Sequence, residues 1–390
     1  MAAAPRRLRR VQCHLAPSPS SSSAPSPSSS SAPAGGADCG AADRAGFQLT
    51  EAGADGYVYT QANAALTVAQ RDFYEENGFL VIRGLVPRAD VERYVARFED
   101  IVRGGPAAAA FDGLVMRDIS VAKAAPRGAA TAVPPRQREV VRIQRLEGDC
   151  VLGQYAHHPD VVALVRAFCG PAGAKSITNA TMVINKPPDG GAGTSRHPPH
   201  QDLWYFPFRP ANKIVCAWTA LEHVHPGNGC LFVKPGTHRL PLRRHRYPRD
   251  GRVNYGFLGI EDACDERHGA ELDPVEMEAG DTIFFHPLLH HGSGRNTSGG
   301  FRKAITTHYA STDCVFFDCR LDPLQREWAE KIEADAETTR KNITEAGNAR
   351  FGRTTGELGH IEVFSLQMRG EGGRNKVPVY GEEGKHERAV

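Results

Sequence analysis

The stretch His200-Gln201-Asp202 decides how the fold and the chemistry of this chain are interpreted, because it holds two metal-binding side chains separated by one residue. Side chains alternate between the two faces of a β-strand, so residues i and i+2 lie on the same face. A histidine nitrogen and a carboxylate oxygen placed in this way supply two ligands of a 2-His-1-carboxylate Fe(II) site, which keeps coordination positions open. Taken alone the triplet is weak evidence, since the chain has 16 histidines and 45 acidic residues.

A second segment, Asp281-Thr-Ile-Phe-Phe-His-Pro-Leu-Leu-His-His-Gly-Ser-Gly-Arg-Asn296, offers candidates for the missing histidine ligand. Its first five residues are typical of a short apolar strand, and Pro287 then interrupts the hydrogen bonding of that strand. His290 and His291 follow at the rim, and His286 is a weaker candidate.

Farther along, Arg302 begins a run with β-branched residues and partial alternation, Arg302-Lys-Ala-Ile-Thr-Thr-His-Tyr-Ala310. A guanidinium binds a carboxylate through two parallel hydrogen bonds. The order H-x-D, histidine, arginine therefore predicts three iron ligands and a cation for the distal carboxylate of a dicarboxylate co-substrate. The simpler alternatives are a surface His–Asp pair and a surface ion pair of Arg302, which would contribute little.

Five motifs in this part of the chain resemble the phytanoyl-CoA dioxygenase family, and the resemblance extends from about Phe73 to about Asp318. They are His200-Gln-Asp-Leu-Trp-Tyr-Phe-Pro-Phe-Arg-Pro210, Cys216-Ala-Trp-Thr219, Gly229-Cys-Leu231, Pro235-Gly-Thr-His238 and His286-Pro-Leu-Leu-His-His-Gly-Ser-Gly294. From about residue 177 to 309, short apolar runs alternate with Pro/Gly loops, as in a β-sandwich or jelly roll. We therefore expect a mainly β chain with flanking helices and a double-stranded β-helix (jelly roll, cupin-like) core.

The resemblance also implies roles for individual residues. His200, Asp202 and His291 would bind iron, with His291 preferred over His290 because it precedes Gly-Ser-Gly, as the family's ligand does. His290 is expected to be exposed or to lie behind the ligands. Arg302, Ser293, Trp218, Met182 and Arg142 would bind 2-oxoglutarate, while Gln201 and Asn296 would hold the loops and ligands by hydrogen bonds. Arg142 stands where the family has a lysine, and Trp204 stands where it has a histidine, which leaves open a different substrate shape.

The implied reaction is 2-hydroxylation of phytanoyl-CoA and other 3-methyl-branched acyl-CoAs in fatty acid alpha-oxidation, with 2-oxoglutarate and O2 converted to succinate and CO2. The implied cofactors are Fe(II), 2-oxoglutarate as co-substrate, and ascorbate. Two alternatives are a relative with the same iron chemistry but another substrate, and a non-catalytic acyl-CoA-binding protein. An arginine-rich stretch between residues 239 and 252 is by default a solvated loop, but Arg243, Arg244 and Arg246 are candidate contacts for the phosphates of coenzyme A.

The composition excludes several other classes. The net charge of +2 argues against nucleic acid as the main partner. No run approaches the ~18 apolar residues of a membrane span. Nine cysteines without a C-x-x-C pair indicate neither a disulfide framework nor a zinc ribbon.

The N-terminal 45 residues differ from the rest of the chain. They contain a tandem octapeptide, Ala16-Pro-Ser-Pro-Ser-Ser-Ser-Ser23 and its copy over 24–31, which predicts a disordered linker. Ahead of it, Arg7-Leu8 and His14-Leu15 are separated by five residues, as in the N-terminal peroxisomal signal read by an import receptor. A mitochondrial transit peptide is the runner-up, and an untargeted basic tail is a third interpretation.

Local patterns predict the remaining elements. The helices are a capped helix from Thr67-Val-Ala-Gln70 to about Gly78, helices over about 89–103 and 159–170, and a helix from Asp322-Pro323 to about Thr339. A strand is predicted over residues 79–82. A long mobile segment is predicted over 104–138, and within it Met116-Arg-Asp118 is by default solvated. The resulting domains are 1–45 (targeting segment and linker), 46–320 (dioxygenase domain) and 321–390 (helix and variable tail).

Overall fold

The computed structural model describes residues 53, 55–61, 64–105, 111, 113–118, 137–170, 174–176, 181–189, 194–249, 253–254, 257–264, 272–331 and 334. The predicted targeting residues Arg7, Leu8, His14 and Leu15, the octapeptide repeat and the C-terminal tail lie outside these ranges. The helix predicted from Asp322 is described over residues 326–331, so it begins later than predicted. A membrane-crossing helix would have to be longer and more apolar than any helix in the described ranges.

Three predicted helices are confirmed: α1 (Val68–Asn77), α2 (Arg88–Arg103) and α3 (Pro159–Cys169). Helix α1 begins with a capping box, in which the Thr67 hydroxyl accepts from the backbone of Gln70 while the Gln70 side chain accepts from the backbone of Thr67. It ends at Gly78, whose positive φ of 79° suits a residue without a Cβ.

The strands in the described ranges are β1 (Phe79–Ile82), β2 (Leu114–Arg117), β3 (Val140–Gln144), β4 (Ala174–Ser176), β5 (Met182–Lys186), β6 (His197–His200), β7 (Phe208–Arg209), β8 (Ile214–Ala220), β9 (Leu231–Val233), β10 (His245–Arg246), β11 (Gly259–Ile260), β12 (Asp273–Val275), β13 (Thr282–Phe285), β14 (His291–Ser293), β15 (Arg302–Ser311) and β16 (Val315–Phe316).

Two antiparallel sheets face each other. The main sheet has the order β1-β13-β8-β15-β5-β3-β2, with β4 also paired to β15, and the second sheet has the order β12-β9-β14-β6. The pairs β10-β11 and β7-β16 form separate two-stranded sheets. Strands β5, β8, β13 and β15 belong to the main sheet and β6, β9, β12 and β14 to the second, so the chain crosses repeatedly between the two. This is the topology of a double-stranded β-helix, and the expected jelly roll is confirmed.

Apolar side chains fill both sides of the main sheet. Between the sheets, Trp218, Leu231 and Phe285 belong to one buried cluster. On the other side, Phe168 of α3 and Ile305 of β15 belong to a second buried cluster. Because both faces are covered, every residue of β8 and β15 is buried, and these strands form a rigid platform.

The prediction of a mobile segment over 104–138 is wrong for the part of that range that the structure describes. Leu114–Arg117 forms β2, which pairs antiparallel with β3. Asp118 is buried rather than solvated, and the hydroxyl of Thr194 donates to its carboxylate at 2.8 Å. The Ala/Pro/Gly-rich sequence around this strand obscures its four-residue pattern, and its edge position is fixed by pairing with β3.

Candidate active site

One face of the main sheet lines a cavity between the two sheets. Side chains alternate along each strand, so Val183 and Ile305 face the helices while Met182, Ile184 and Thr306 face the cavity. The cavity-facing set is Arg142 and Gln144 of β3, Met182, Ile184 and Lys186 of β5, Cys216 and Trp218 of β8, Phe285 of β13, and Arg302, Thr306 and His308 of β15.

The second sheet contributes the predicted metal ligands. His200 is the last residue of β6 and His291 is the first of β14, and the two are register partners across the strand pair. Asp202 does not lie on the strand, as the alternation argument assumed, but begins a 3₁₀ turn. The backbone of Gln201 stays extended (φ −119°, ψ 124°), so the Asp202 side chain still reaches the face occupied by His200.

These three residues form a compact, buried donor set. The Asp202 Oδ1 lies 3.3 Å from the Nε2 of His200 and 3.5 Å from the Nε2 of His291. One donor atom from each residue lies within 4.8 Å of the donor atoms of the other two, close enough for all three to share one metal ion. The structure thus brings together the three ligands predicted from sequence.

The two histidines are oriented by the same local device. The Nδ1 of His200 lies 2.9 Å from the carbonyl of Pro198, and the Nδ1 of His291 lies 2.9 Å from the carbonyl of Leu289. Because a carbonyl only accepts, each Nδ1 carries a hydrogen, and each Nε2 is turned toward Asp202. Burial lowers the pKa of His291 to about 4, which favours its neutral ring with a lone pair on Nε2. Two imidazoles and a carboxylate are a donor set that fits Fe(II).

His308 of β15 is a partner of the carboxylate that the sequence did not single out. Its Nε2 lies 2.8 Å from Asp202 Oδ2, on the oxygen that the two ligand histidines do not approach. Burial would raise the pKa of Asp202, but its contacts with the surrounding histidines, including the hydrogen bond with His308, outweigh that effect and hold the pKa well below its usual range. A second set of candidate donors, Asp202, Cys216 and His308, is also close together, although it holds one histidine instead of two.

The competing histidines lie outside the cavity lining. His290 is buried with 7% of its surface exposed, so of its two expected positions, exposed or behind the ligands, the exposed one is wrong. Burial lowers the pKa of His290 to about 4. Its ring Nε2 has no hydrogen-bond partner. His286 is also buried, and its Nδ1 accepts from the backbone of Leu288.

The far end of the cavity is positively charged. Arg302 is 1% exposed, its Nε donates to the Gly229 carbonyl at 3.2 Å, and its guanidinium lies 5.3 Å from the Trp218 ring. Burial lowers the pKa of Arg302 to about 10. Beside it, the Nζ of Lys186 donates to the Ser293 hydroxyl at 2.7 Å. This end is suited to bind a carboxylate.

The remaining candidates divide into lining and supporting residues. Met182, Trp218 and Arg142 line the cavity, and the Arg142 guanidinium contacts the sulfur of Met116 at 2.9 Å. The Gln201 amide donates to the carbonyl of Leu288 at 3.1 Å and its oxygen accepts from the backbone of Arg243 at 2.8 Å. The Asn296 amide donates to the carbonyl of Lys186 at 2.8 Å, which ties the loop after β14 to β5.

Two further sets of residues lie away from the cavity lining. Arg243 and Arg244 are more than one-third exposed and form ion pairs with Asp262 and Glu327, and the Arg246 Nε lies 3.9 Å from Glu261. Trp204 is buried, stacks on the His245 ring at 4.7 Å and contacts Trp328 at 5.7 Å. It is therefore a packing residue on the far side of the turn that carries Asp202.

Lys186 and His308 are the residues that sequence reasoning missed. Both belong to stretches with a period of two, in which Met182 and Arg302 were already candidates. Extending the alternation from Met182 by four residues finds Lys186, and extending it from Arg302 by six finds His308.

Comparison with known proteins places the chain. The family described as Phytanoyl-CoA dioxygenase (PhyH) matches residues 74–304. The Homo sapiens protein named "Phytanoyl-CoA dioxygenase, peroxisomal" is 48% identical over 265 residues, which are 68% of this chain and 74% of that protein. A Caenorhabditis elegans protein named "Probable phytanoyl-CoA dioxygenase" is 41% identical over 317 residues, 81% and 96% of the two chains. The apoform of EctD from S. alaskensis is 16% identical with a TM-score of 0.49, covering 67% of this chain and 84% of its own. The chain belongs to the phytanoyl-CoA dioxygenase family.

Proposed function

We propose that this protein is a peroxisomal Fe(II)/2-oxoglutarate-dependent dioxygenase that 2-hydroxylates phytanoyl-CoA and other 3-methyl-branched acyl-CoAs. The observation that carries the proposal is the shared cavity of His200, Asp202 and His291 at one end and Arg302 at the other. The names of the relatives support the substrate class.

The residues of the chain would divide the work as follows. His200, Asp202 and His291 would hold Fe(II) through two Nε2 atoms and a carboxylate oxygen. Bound Fe(II) and 2-oxoglutarate supply the O2 activation that couples oxidative decarboxylation to hydroxylation of the substrate. His308 would hold the second oxygen of Asp202 and so keep the first directed at the metal.

The co-substrate would lie along the main sheet. Arg302 and Ser293 would bind its distal carboxylate, while Trp218, Met182 and Arg142 would form its remaining contacts. In the overall reaction one oxygen atom of O2 enters the acyl C2–H bond and the other enters succinate, as CO2 leaves 2-oxoglutarate.

The substrate would use the other side of the cavity. Tyr205, Phe206 and Phe257 line it there and present an aromatic surface suited to a branched acyl chain. The coenzyme A portion would extend toward Arg243, Arg244 and Arg246. The backbone of Arg243 is hydrogen-bonded to Gln201, next to a ligand, which supports placing these arginines near the entrance.

This arginine assignment has its own test. Replacing Arg243, Arg244 and Arg246 with Ala should raise the KM for acyl-CoA without changing the KM for 2-oxoglutarate, because only the acyl-CoA carries the phosphates. Equal KM values for acyl-CoA in the variant and the parent would rule out this contact.

For localisation and organisation the proposal relies on sequence. Arg7-Leu8 and His14-Leu15 would be read by the peroxisomal import receptor, and residues 46–320 would form the dioxygenase domain between the linker and the C-terminal tail. Relatives named as peroxisomal support this compartment over the mitochondrion. Replacing Arg7 and His14 with Ala in a fluorescent fusion should leave the protein outside peroxisomes.

The experiment that tests the function is an assay of the purified protein with Fe(II), 2-oxoglutarate, ascorbate and a panel of acyl-CoAs. We expect succinate and a 2-hydroxylated product from 3-methyl-branched acyl-CoAs. Turnover only with unbranched or CoA-free substrates would indicate a relative with another substrate. Bound iron and acyl-CoA without turnover would indicate a non-catalytic binding protein.

A further inference from the structure

Two buried cations lie directly opposite each other on the cavity face of the main sheet. Lys186 of β5 and Arg302 of β15 are register partners in an antiparallel pair, with 5% and 1% of their surfaces exposed. Like charges placed opposite each other across two strands are destabilising, and burial increases the cost. Burial and the neighbouring Arg302 hold the pKa of Lys186 well below its usual range, so an anion bound beside the two groups would favour the charged form of the lysine.

Among the described residues, Asp189 acts on Lys186 and Glu222 acts on Arg302, but neither forms an ion pair with it. The Arg302 Nε donates to a neutral carbonyl and its Nη1 has no hydrogen-bond partner. The Lys186 Nζ donates to the Ser293 hydroxyl at 2.7 Å and to the Gly294 carbonyl at 2.5 Å, both neutral. Within the described ranges neither cation forms an ion pair with a carboxylate.

The next residue on the same strand shows the contrast. Lys303 points to the opposite face of β15, and its Nζ lies 3.3 Å from Glu222. A lysine that does not line the cavity thus has a protein carboxylate as its partner, whereas Lys186 does not. Lys303 is consequently a matched control for Lys186.

The hydrogen bond between Lys186 and Ser293 also determines what Ser293 can do. An ammonium group only donates, so the Ser293 oxygen accepts from it and keeps its own hydrogen for another acceptor. Ser293 lines the same cavity as Arg302. A carboxylate bound by Arg302 would be an acceptor for this hydrogen.

We propose that Lys186 is a positioning residue of the co-substrate site, which orients the Ser293 hydroxyl to donate to the distal carboxylate of 2-oxoglutarate and adds a second positive charge beside Arg302. This inference rests on the proposed function. Lys186 and Ser293 would make the Arg302 end of the cavity selective for a 2-oxo acid with a second carboxylate, over a 2-oxo acid of equal length that lacks it.

The test measures binding by calorimetry with Mn(II) in place of Fe(II), for 2-oxoglutarate and for 2-oxopentanoate, which lacks the distal carboxylate. We expect Lys186→Met to lower the affinity for 2-oxoglutarate about tenfold or more, since hydrogen bonds to charged groups are strong. The affinity for 2-oxopentanoate should stay near that of the parent, so the preference for the dicarboxylate collapses. Lys303→Met should retain the preference, and Lys186→Arg should restore part of it.

A double-mutant cycle tests the route through Ser293. If Lys186 acts by orienting Ser293, Ser293→Ala and Lys186→Met should have effects that do not add in the double variant. Unchanged 2-oxoglutarate affinity in Lys186→Met, or equal loss of both ligands, would overturn the inference. If Lys186→Met does not fold, Ser293→Ala takes its place in the test. An equal loss of affinity for 2-oxoglutarate and 2-oxopentanoate in Ser293→Ala would contradict the proposal. A parent that binds 2-oxoglutarate but hydroxylates no acyl-CoA would affect only the proposed substrate, and one that binds no 2-oxoglutarate would refute the proposed function itself.

Discussion

The metal end and the carboxylate end of the cavity are built in different ways. At the metal end, each histidine ring is fixed by a carbonyl only two residues earlier in the chain. At the carboxylate end, Arg302 contacts a carbonyl 73 residues away and Lys186 contacts a hydroxyl 107 residues away. Ligand orientation is thus encoded in short segments, while recognition of the co-substrate depends on the register of the main sheet.

The largest expected effect concerns the choice between adjacent histidines at the metal end. His291→Ala should abolish Fe(II) binding and reduce turnover to background, since it removes an Nε2 donor. His290→Ala should retain bound iron, because His290 does not line the cavity. Metal analysis of both purified variants checks this, and the reverse result would assign the ligand to His290.

The next effect probes the carboxylate end alone. Arg302→Met should raise the KM for 2-oxoglutarate about 10- to 150-fold, as expected for loss of charged hydrogen bonds worth ~1.5–3 kcal/mol. Lys303→Met, on the opposite face, is the control. A comparable rise in the KM for acyl-CoA in Arg302→Met would mean that the two ends are not separable.

A smaller effect is expected for the long-range contact between His308 and Asp202 at the metal end. His308→Phe removes the hydrogen bond to Asp202 and should weaken Fe(II) binding by roughly 10- to 100-fold. His308→Gln, which keeps a donor, should recover part of the affinity. Fe(II) affinity measured without oxygen separates this from any effect on turnover, and identical affinities for parent and His308→Phe would contradict the role.

The metal end is more predictable from the sequence than the carboxylate end, because its side chains are oriented by local contacts. His200, Asp202 and His291 stand in short motifs, and their geometry follows from local backbone, even though Asp202 lies on a turn rather than on a strand. Alternation from Met182 places Lys186 on the same face, but its position opposite Arg302 follows from strand pairing, which the sequence does not display. Likewise, β2 depends on its pairing with β3. The helices were predictable because caps and apolar periodicity are local.

The smallest expected effect concerns Trp204, which stands where the family has a histidine and therefore left open a different substrate shape. Trp204→His should lower the melting temperature, since it disrupts packing against His245 and Trp328. The ratio of kcat/KM for branched over unbranched acyl-CoA should not change, because Trp204 does not line the cavity. A changed ratio would show that this residue influences substrate shape from outside the cavity.

The most direct test of the central claim, that both ends act together in one reaction, is to follow isotopically labelled O2 by mass spectrometry in single-turnover mixtures with phytanoyl-CoA. We expect one labelled oxygen at C2 of the acyl product and one in succinate, formed in equal amounts. Labelled succinate without labelled acyl product, or hydroxylation without consumption of 2-oxoglutarate, would contradict it.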